Sequence, residues 1–353
     1  MIGDSMFNVC FAADDNYSSY LDIVLISLFE NNKFDDINVF ILDSGISKDN
    51  GQIIKNTCDK YSANVSFINV ENIEDKFDIS LNKMKVKGNF SLATYSRLFL
   101  VSLLPNDVDK VLYLDCDALV LGSFEPIWNL DLSNYLAGGV LALNGNDDVK
   151  KAIDLGSSDK YINAGMLLVN LKKWREENIE EKLLDELIRL NNKGIHFGMD
   201  QGVINSVLKG QILILDPEYN LEGSLHNTGY DITMKLHNNV QKDYYDKSTL
   251  DNAINHPVFQ HFCVGPGEFY NRPWLNPHHE NRKEYENYFE KSNFNEETVF
   301  FYKEVPFIKR FNRFLARNKL TSFLIVKLVP DSICNKIIGN NSVSSEKVDV
   351  ERW

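Results

Sequence analysis

Cysteine is scarce in this sequence and follows no pattern. The 353 residues include five scattered cysteines, an odd number without any C-x-x-C pair: Cys10, Cys58, Cys116, Cys263 and Cys334. A disulfide framework usually has an even number of cysteines in a dense pattern, and a structural zinc site usually has C-x-x-C pairs. The sequence therefore predicts neither of them, and it fits a reducing compartment.

Basic charge and long apolar runs are also in short supply. The chain has 37 Lys and Arg residues against 50 Asp and Glu, a net charge of -13 at pH 7, which disfavours binding to nucleic-acid phosphates. No stretch of about 18 uncharged apolar residues is present, and the opening MIGDSMFNVC lacks the basic segment of a secretory signal. We expect a cytoplasmic protein with no transmembrane helix and no nucleic-acid partner.

Short strand-like runs alternate with helical patterns from residue 8 onward. The runs VCFAA, INVFIL and VSFINV are separated by the helical pattern YLDIVLISLFENN and by a polar helix near residues 48–61. Further on, SLATYSRLFLVSLL predicts a helix over residues 91–104, GGVLAL a strand, INAGMLLVNLKKW a strand entering a helix, and MDQGVINSVLKG a helix. Such alternation is typical of βαβ units. We predict an α/β fold with a mainly parallel sheet and a ligand site at the carboxyl ends of its strands.

Two aspartates interrupt the apolar run VLYLDCDALVLG. If the backbone stays extended, Asp115 and Asp117 point to the same side, since side chains of a strand alternate with period two. Such a pair suits a hard divalent cation such as Mg²⁺ or Mn²⁺; the alternative is a turn or a capped strand end without a ligand. The flanking apolar residues favour the cation, because an unpaired charge so near the core is costly.

Six motifs occur in the order in which one known family has them. They are VCFAADDNYSSYL, ATYSRLFL, LYLDCDALV, YINAGMLLVNLKKW, MDQGVIN and HFCVGPGEFYNRPW, and the likeness around them covers about residues 7–280. The sequence resembles the retaining glycosyltransferases of family 8, in particular bacterial enzymes that add galactose or glucose to lipopolysaccharide or lipooligosaccharide. The resemblance implies a Rossmann-like GT-A fold that binds a UDP-hexose through a divalent cation, Mn²⁺ or Mg²⁺. It also implies transfer, with retention, to a glycan or glycolipid acceptor.

The resemblance implies roles for individual residues as well. Asp115, Asp117 and His261 would bind the metal, while Asp200 and Gln201 would act in catalysis beside the donor sugar. The residues that would hold the donor come from several motifs: Ala12, Asp14, Asn16, Arg97, Asp115, Asn163, Ala164, Gly265 and Arg272. Taken alone, Asp14 also fits a turn, Arg97 a solvent-facing side chain and Asp200 a helix N-cap.

Two positions depart from the family pattern. The loop GPGEFYNRPW carries an insertion and has Arg272 in place of the phosphate-binding lysine that is usual in the family; arginine binds phosphate through a planar fork rather than as a point charge. Many relatives have an Asp near the end of GGVLAL, whereas this chain has Leu141 and Ala142, with Asn144 the nearest polar residue. We therefore expect recognition of the acceptor or the sugar to differ.

The chain is predicted to divide into a catalytic domain, residues 1–290, and a basic C-terminal helical extension, residues 291–353. From Lys303 to Ile338 there are eight Lys or Arg residues against two acidic ones. Five apolar residues of VPFIKRFNRFLARNKL would share one helix face within an arc of about 120°: Phe307, Ile308, Phe311, Phe314 and Leu315. This pattern is typical of a helix that lies on an anionic membrane. The alternative is a terminal helix that packs on the catalytic domain.

Two other classes of function share parts of this pattern. A metal-dependent phosphohydrolase also needs paired carboxylates and a histidine, but it usually has a further acidic cluster, and none follows LDCDALV. A nonenzymatic UDP-sugar-binding protein would keep the fold, yet Asp200 and Gln201 are both present. We expect a galactosyl- or glucosyltransferase.

Overall fold

The computed structural model describes residues 6–70, 73, 92–195, 199–237, 240–263, 272–300, 310–311, 314–315 and 319–330. The strands are β1 (Met6–Ala13), β2 (Asp36–Asp43), β3 (Asn64–Asn69), β4 (Lys110–Leu114), β5 (Ala118–Val120), β6 (Ala137–Gly139), β7 (Met166–Asn170), β8 (Ile212–Ile214), β9 (Leu221–Glu222) and β10 (Phe259–His261). The helices are α1 (Ser18–Asn31), α2 (Lys48–Lys60), α3 (Leu92–Ser96), α4 (Leu100–Leu103), α5 (Glu125–Trp128), α6 (Asp147–Ala152), α7 (Leu171–Glu176), α8 (Ile179–Asn192), α9 (Met199–Val207), α10 (Gly223–Leu236), α11 (Lys247–Asn255), α12 (Arg282–Phe289), α13 (Glu296–Val299) and α14 (Lys319–Leu328).

The larger sheet is mainly parallel, as the alternation of elements predicts. Within the described residues it has seven strands in the order β3-β2-β1-β4-β7-β6-β8. The pairs formed by β1, β2, β3 and β4 are parallel, and so is the pair β6–β8, whereas β7 runs antiparallel to both of its neighbours. Parallel neighbours end at the same edge of a sheet, so the carboxyl ends of β1 and β4 lie side by side.

Both faces of this sheet are buried. Phe7 and Val9 of β1 pack in one apolar core with residues of α1 and α2, and Cys10 packs in the other core, which includes Leu183 and Leu187 of α8. Successive side chains of a strand point to opposite faces. A strand covered on both faces therefore has an almost uninterrupted apolar sequence, which is why VCFAA carries no alternation of polar residues.

A smaller sheet explains where Asp115 and Asp117, the D-x-D pair, lie in the fold. It has the strand order β5-β10-β9, with β10 antiparallel to β5 and parallel to β9. The chain leaves the larger sheet after Leu114 and joins the smaller one at Ala118. The condition of an extended backbone through VLYLDCDALVLG is therefore not met, because this apolar run forms two strands in two sheets, and Asp115 and Asp117 lie in the bend between them.

Two predicted elements are shorter than expected. The predicted helix over residues 91–104 is divided into α3, a tighter 3-10 turn (Arg97–Phe99) and α4. The turn begins at Arg97, whose buried side chain forms the ion pairs described below. The strand predicted for GGVLAL ends at Gly139, and only an isolated bridge joins Leu141 to Ile162. The helices predicted near residues 48–61 and at MDQGVINSVLKG are confirmed as α2 and α9.

Two described C-terminal segments, residues 291–300 and α14, pack on the rest of the chain. Phe294 and Val299 are buried in the core around α1, and Ser292 Oγ donates to Asp22 Oδ2 at 2.6 Å. Helix α14 contacts α10 through Ile325 and Val326. Residues 291–300 therefore pack with the catalytic core, while the division of the chain after residue 290 stays a prediction. Among the helices described here, none is long and apolar enough to cross a membrane.

Candidate active site

The D-x-D pair is held by backbone hydrogen bonds on both sides. The Asp115 N–H donates to the carbonyl of Gly165 at 2.8 Å, and the Phe262 N–H donates to the carbonyl of Asp117 at 2.8 Å. The first bond joins the pair to the turn before β7, and the second joins it to the end of β10. Because His261 is the last residue of β10, its imidazole lies next to both carboxylates.

Asp115, Asp117 and His261 form a cluster that could hold a cation. One ligand atom from each residue lies within 4.8 Å of the others, and His261 Nε2 is 3.2 Å from Asp117 Oδ1 and 3.7 Å from Asp115 Oδ2. The imidazole is buried and the carboxylates are partly exposed, which leaves one side of the cluster open to further ligands. Two carboxylates and one imidazole fit a divalent ion such as Mn²⁺, and the predicted convergence of the three residues is confirmed.

The charges of this cluster compensate one another. Burial lowers the pKa of His261, but interactions with Cys263 and Asp117 raise it by more, so that the pKa lies well above its ordinary value. Burial raises the pKa of Asp117, and His261 and Arg272 together lower it below its ordinary value. Since a metal ligand must be deprotonated, cation binding would require His261 to release its proton.

Gly165 lies against two of the clustered side chains. A Cβ on Gly165 would overlap His261 Cε1 and would be 2.8 Å from Asp115 Oδ2. Any larger residue would therefore displace the imidazole or the carboxylate. This gives the glycine of the N-A-G step at residues 163–165 a steric reason.

Arg97 is buried and connects the cluster to α9. Its Nη2 is 2.9 Å from Asp115 Oδ1, its Nε is 2.9 Å from Asp200 Oδ2, and its Nη1 donates to the carbonyl of Ala164 at 2.7 Å. The guanidinium also stacks over the ring of Tyr113 at 4.4 Å. Burial lowers the pKa of Arg97, but Asp115 and Asp200 raise it by more. The alternative that Arg97 is a solvent-facing side chain is therefore wrong.

Asp200 and Gln201 lie in the first turn of α9 beside the N-A-G step. Burial raises the pKa of Asp200 to about 6, against the lowering effect of Arg97. Gln201 Oε1 accepts from the Ala164 N–H at 3.1 Å, and Gln201 Nε2 donates to the Tyr161 hydroxyl at 3.2 Å. A single hydrogen-bonded network next to the cluster thus joins the start of α9, Arg97 and the N-A-G step.

Comparison with known proteins decides the family. A family model described as glycosyl transferase family 8 matches residues 8–276. The chain belongs to this glycosyltransferase family. It is 31% identical over 268 residues to a protein of Haemophilus influenzae named as a glycosyltransferase, covering 75% of this chain and 73% of that protein. It is 27% identical over 237 residues to the lipopolysaccharide 1,2-glucosyltransferase of Escherichia coli, covering 67% of each chain.

A solved family structure has the same fold. The galactosyltransferase LgtC, in complex with donor and acceptor sugar analogues, matches with a TM-score of 0.66 and 26% identity over 82% of this chain and 97% of that chain. The GT-A fold with a mainly parallel central sheet, predicted from the sequence, is therefore confirmed. As a family 8 glycosyltransferase, the chain acts on a sugar donor and a glycan acceptor.

Other predicted donor residues lie at the end of β1, in the turn that follows it, or outside the described residues. Ala12 and Asp14 lie at the carboxyl end of β1, and the Cys116 thiol donates to the carbonyl of Ala12 at 3.4 Å, which joins this end to the D-x-D bend. Asp14 Oδ1 accepts from a backbone N–H and so caps the following 3-10 turn, while Asn16 is exposed. Gly265 lies outside the described residues. The roles of these residues in donor binding stay predictions.

Two residues close to the cluster are absent from the family 8 motifs read in the sequence. Asn220 Oδ1 is 3.0 Å from His261 Nδ1. Glu222 is in register with His261 across β9 and β10, and its Oε1 accepts from the Leu143 N–H at 2.9 Å. Glu222 thus brings a carboxylate to the end of GGVLAL, the segment in which many relatives have an Asp and this chain has none. Only the pairing of β9 with β10 places these residues here, and no local pattern indicates it.

Proposed function

We propose that this chain is a retaining, metal-dependent hexosyltransferase. It moves galactose or glucose from a UDP-sugar to a glycan acceptor in the synthesis of lipopolysaccharide or another surface glycan. The observation that carries the proposal is the convergence of Asp115, Asp117 and His261 beside the ion-paired Arg97 and Asp200. Membership of family 8 and the lipopolysaccharide acceptor named for one relative support it.

The chemistry of the reaction fits these residues. Cleavage of a sugar–phosphate bond creates a diphosphate leaving group, and a divalent cation, when bound, supplies Lewis-acid stabilisation of its charge. Arg272 Nη2 is 3.3 Å from Asp117 Oδ2, which is a suitable position for a guanidinium that donates to the same diphosphate. The carboxylate of Asp200 would stabilise positive charge that develops at the anomeric carbon.

The donor hexose is either galactose or glucose, which differ in the orientation of the C4 hydroxyl. The first segment, FAADDNYSSYL, most resembles galactosyltransferase members of the family and so favours galactose, and the match to the galactosyltransferase LgtC supports the same choice. The match to a glucosyltransferase supports the alternative. Asn163, Asp200 and Gln201 are the side chains proposed to read this hydroxyl.

A donor panel tests the function. Metal-depleted protein is incubated with UDP-galactose, UDP-glucose and UDP-N-acetylglucosamine, with and without added Mn²⁺, and release of UDP is measured with Asp117→Ala as the control. We expect Mn²⁺-dependent release from one hexose donor, and NMR should show the α-anomer of the transferred or released hexose first. Donor binding without turnover would favour a nonenzymatic binding protein, release of inorganic phosphate would favour a phosphohydrolase, and a β-anomer would exclude retention.

The C-terminal extension is proposed to bring the enzyme to the anionic inner face of the cell membrane, where a lipid-linked acceptor would lie. Helix α14 packs on α10 through one side, and large apolar side chains remain exposed elsewhere: Phe311, Phe314, Phe323, Leu324 and Leu328. Exposed apolar groups near basic residues suit a lipid interface. Phe307 and Ile308 of the predicted amphipathic helix lie outside the described residues.

A vesicle assay tests this association. The full chain should sediment with anionic vesicles at low salt, stay in solution with neutral vesicles, and be released at high salt. Replacing Phe323 and Leu328 with Ser should weaken sedimentation without loss of folding, because both side chains are already exposed. Leu130→Ser, an exposed leucine elsewhere, is the control. Unchanged sedimentation of the double variant would show that α14 is only a packing element.

A further inference from the structure

Two buried asparagine side chains connect a backbone N–H to the imidazole of His261. The Gly165 N–H donates to Asn163 Oδ1 at 2.8 Å, Asn220 Nδ2 donates to the same oxygen at 3.0 Å, and Asn220 Oδ1 is 3.0 Å from His261 Nδ1. Asn220 and His261 are each 2% exposed, so water does not easily replace these partners.

The direction of this chain of hydrogen bonds follows from its first donor. A backbone N–H can only donate, so the Asn163 atom that it meets must be the amide oxygen. Asn220 must then present its NH₂ group to that oxygen, which turns the Asn220 carbonyl oxygen toward His261. Because an amide oxygen only accepts, His261 Nδ1 must carry a hydrogen. A flipped amide would leave buried groups of the same kind facing each other, which costs about 1–3 kcal/mol.

We propose that Asn220 is a positioning residue that holds His261 with Nδ1 protonated and with the Nε2 lone pair aimed at the space between Asp115 and Asp117. The proposal rests on the proposed metal dependence of the enzyme. Histidines that bind metals commonly donate their other ring N–H to a neighbouring acceptor, which fixes both the tautomer and the ring orientation. Asn220 supplies that acceptor from the 3-10 turn Pro217–Asn220, immediately before β9.

The same connection changes the role expected of Asn163. Both hydrogen bonds that reach its side-chain oxygen come from the protein, so a sugar hydroxyl would have to use the Asn163 NH₂ group as its donor. Asn163 therefore supports His261 through Asn220, whatever it contributes to the sugar.

The inference is tested by binding Mn²⁺ to the otherwise intact protein in the absence of donor. Affinity is measured by calorimetry, and coordination of the imidazole nitrogen is measured by the nitrogen coupling in the pulsed EPR spectrum of bound Mn²⁺. Asn220→Ala and Asn220→Leu should bind Mn²⁺ about 10- to 100-fold more weakly and lose much of the nitrogen coupling. The matched control is Asn32→Ala, which removes a buried asparagine that bonds to backbone groups away from the site and should leave Mn²⁺ affinity unchanged.

Asn220→Asp separates positioning from a merely structural role. Its carboxylate still accepts from His261 Nδ1, but it faces the oxygen of Asn163, so this variant should be no more stable than Asn220→Leu. Positioning nevertheless predicts that Asn220→Asp binds Mn²⁺ more tightly than Asn220→Leu, whereas a structural role predicts the reverse order. Wild-type affinity and nitrogen coupling in Asn220→Ala and Asn220→Leu would overturn the inference and leave the proposed function intact. Failure of the wild-type chain to bind Mn²⁺ would instead overturn the metal site itself.

Discussion

Gly165→Ala should disable the metal cluster by adding a single methyl group. The glycine is not among those with positive φ, so alanine is compatible with its backbone and the effect comes from contacts alone. The new Cβ would overlap His261 Cε1 and would be 2.8 Å from Asp115 Oδ2. An ordinary contact needs about 3.4 Å or more, so even the carboxylate must move by about 0.6 Å. Metal–ligand distances tolerate about 0.2 Å, and the imidazole must move further than the carboxylate.

The magnitude follows from the loss of one well-placed ligand. Since disturbing only the partners of metal ligands already costs about 10- to 100-fold in affinity, we expect Gly165→Ala to bind Mn²⁺ at least about 100-fold more weakly. Turnover should fall by a similar factor, because a displacement of about 1 Å at an active site can cost 10²-fold. Overpacking of the buried turn should also lower the free energy of unfolding by about 1–3 kcal/mol.

Calorimetric titration with Mn²⁺, release of UDP and chemical denaturation measure these three effects. Gly51→Ala is the matched control, because a Cβ there meets no atom closer than 3.9 Å and lies inside α2. It should keep metal affinity and gain about 0.5–1 kcal/mol of stability. If Gly165→Ala folded, bound Mn²⁺ and turned over like the wild type, the steric argument for this glycine would be refuted.

Three further substitutions test the charged groups of the site. The pKa of Asp200 is raised to about 6 and its carboxylate is the form proposed to act, so turnover should rise with pH up to about 6 and then level off. The residual turnover of Asp200→Asn should not show this rise. A rise that persists in the variant would assign the titration to another group. Arg97→Met leaves two carboxylates without their buried partner and should cost about 3–5 kcal/mol of stability in metal-free denaturation. The control Arg175→Met breaks a more exposed ion pair with Asp109 and one exposed hydrogen bond to the Pro105 carbonyl and should cost about 1 kcal/mol, so equal losses would contradict the structural role of Arg97. Asp117→Ala should abolish Mn²⁺-dependent turnover while the protein stays folded, and near-normal turnover with metal present would show that the metal-site assignment is wrong.

The sequence by itself determined the layers of the fold and the main members of the site. Apolar runs such as VCFAA and INVFIL predict buried parallel strands because both of their faces need covering, and β1 and β2 confirm this. The resemblance carried by the six motifs implied that Asp115, Asp117 and His261 act together, and the structure brings the three side chains together. The strands and the D-x-D pair are carried by residue type at short spacing, whereas the place of His261 beside the pair was implied only by the resemblance to family 8.

Only the tertiary structure decided how the site is assembled. The D-x-D pair is a bend between two sheets because β5 pairs with β10, and strand pairing across more than a hundred residues leaves no local pattern. The burial of Arg97 between Asp115 and Asp200 joins three distant segments, and short-range periodicity indicated only a helix there. Asn220 belongs to no motif, yet the pairing of β9 with β10 and the fixed polarity of one backbone N–H give it a defined place beside His261. Hydrogen-bond direction depends on which groups meet in space, and for these residues only the folded chain brings them together.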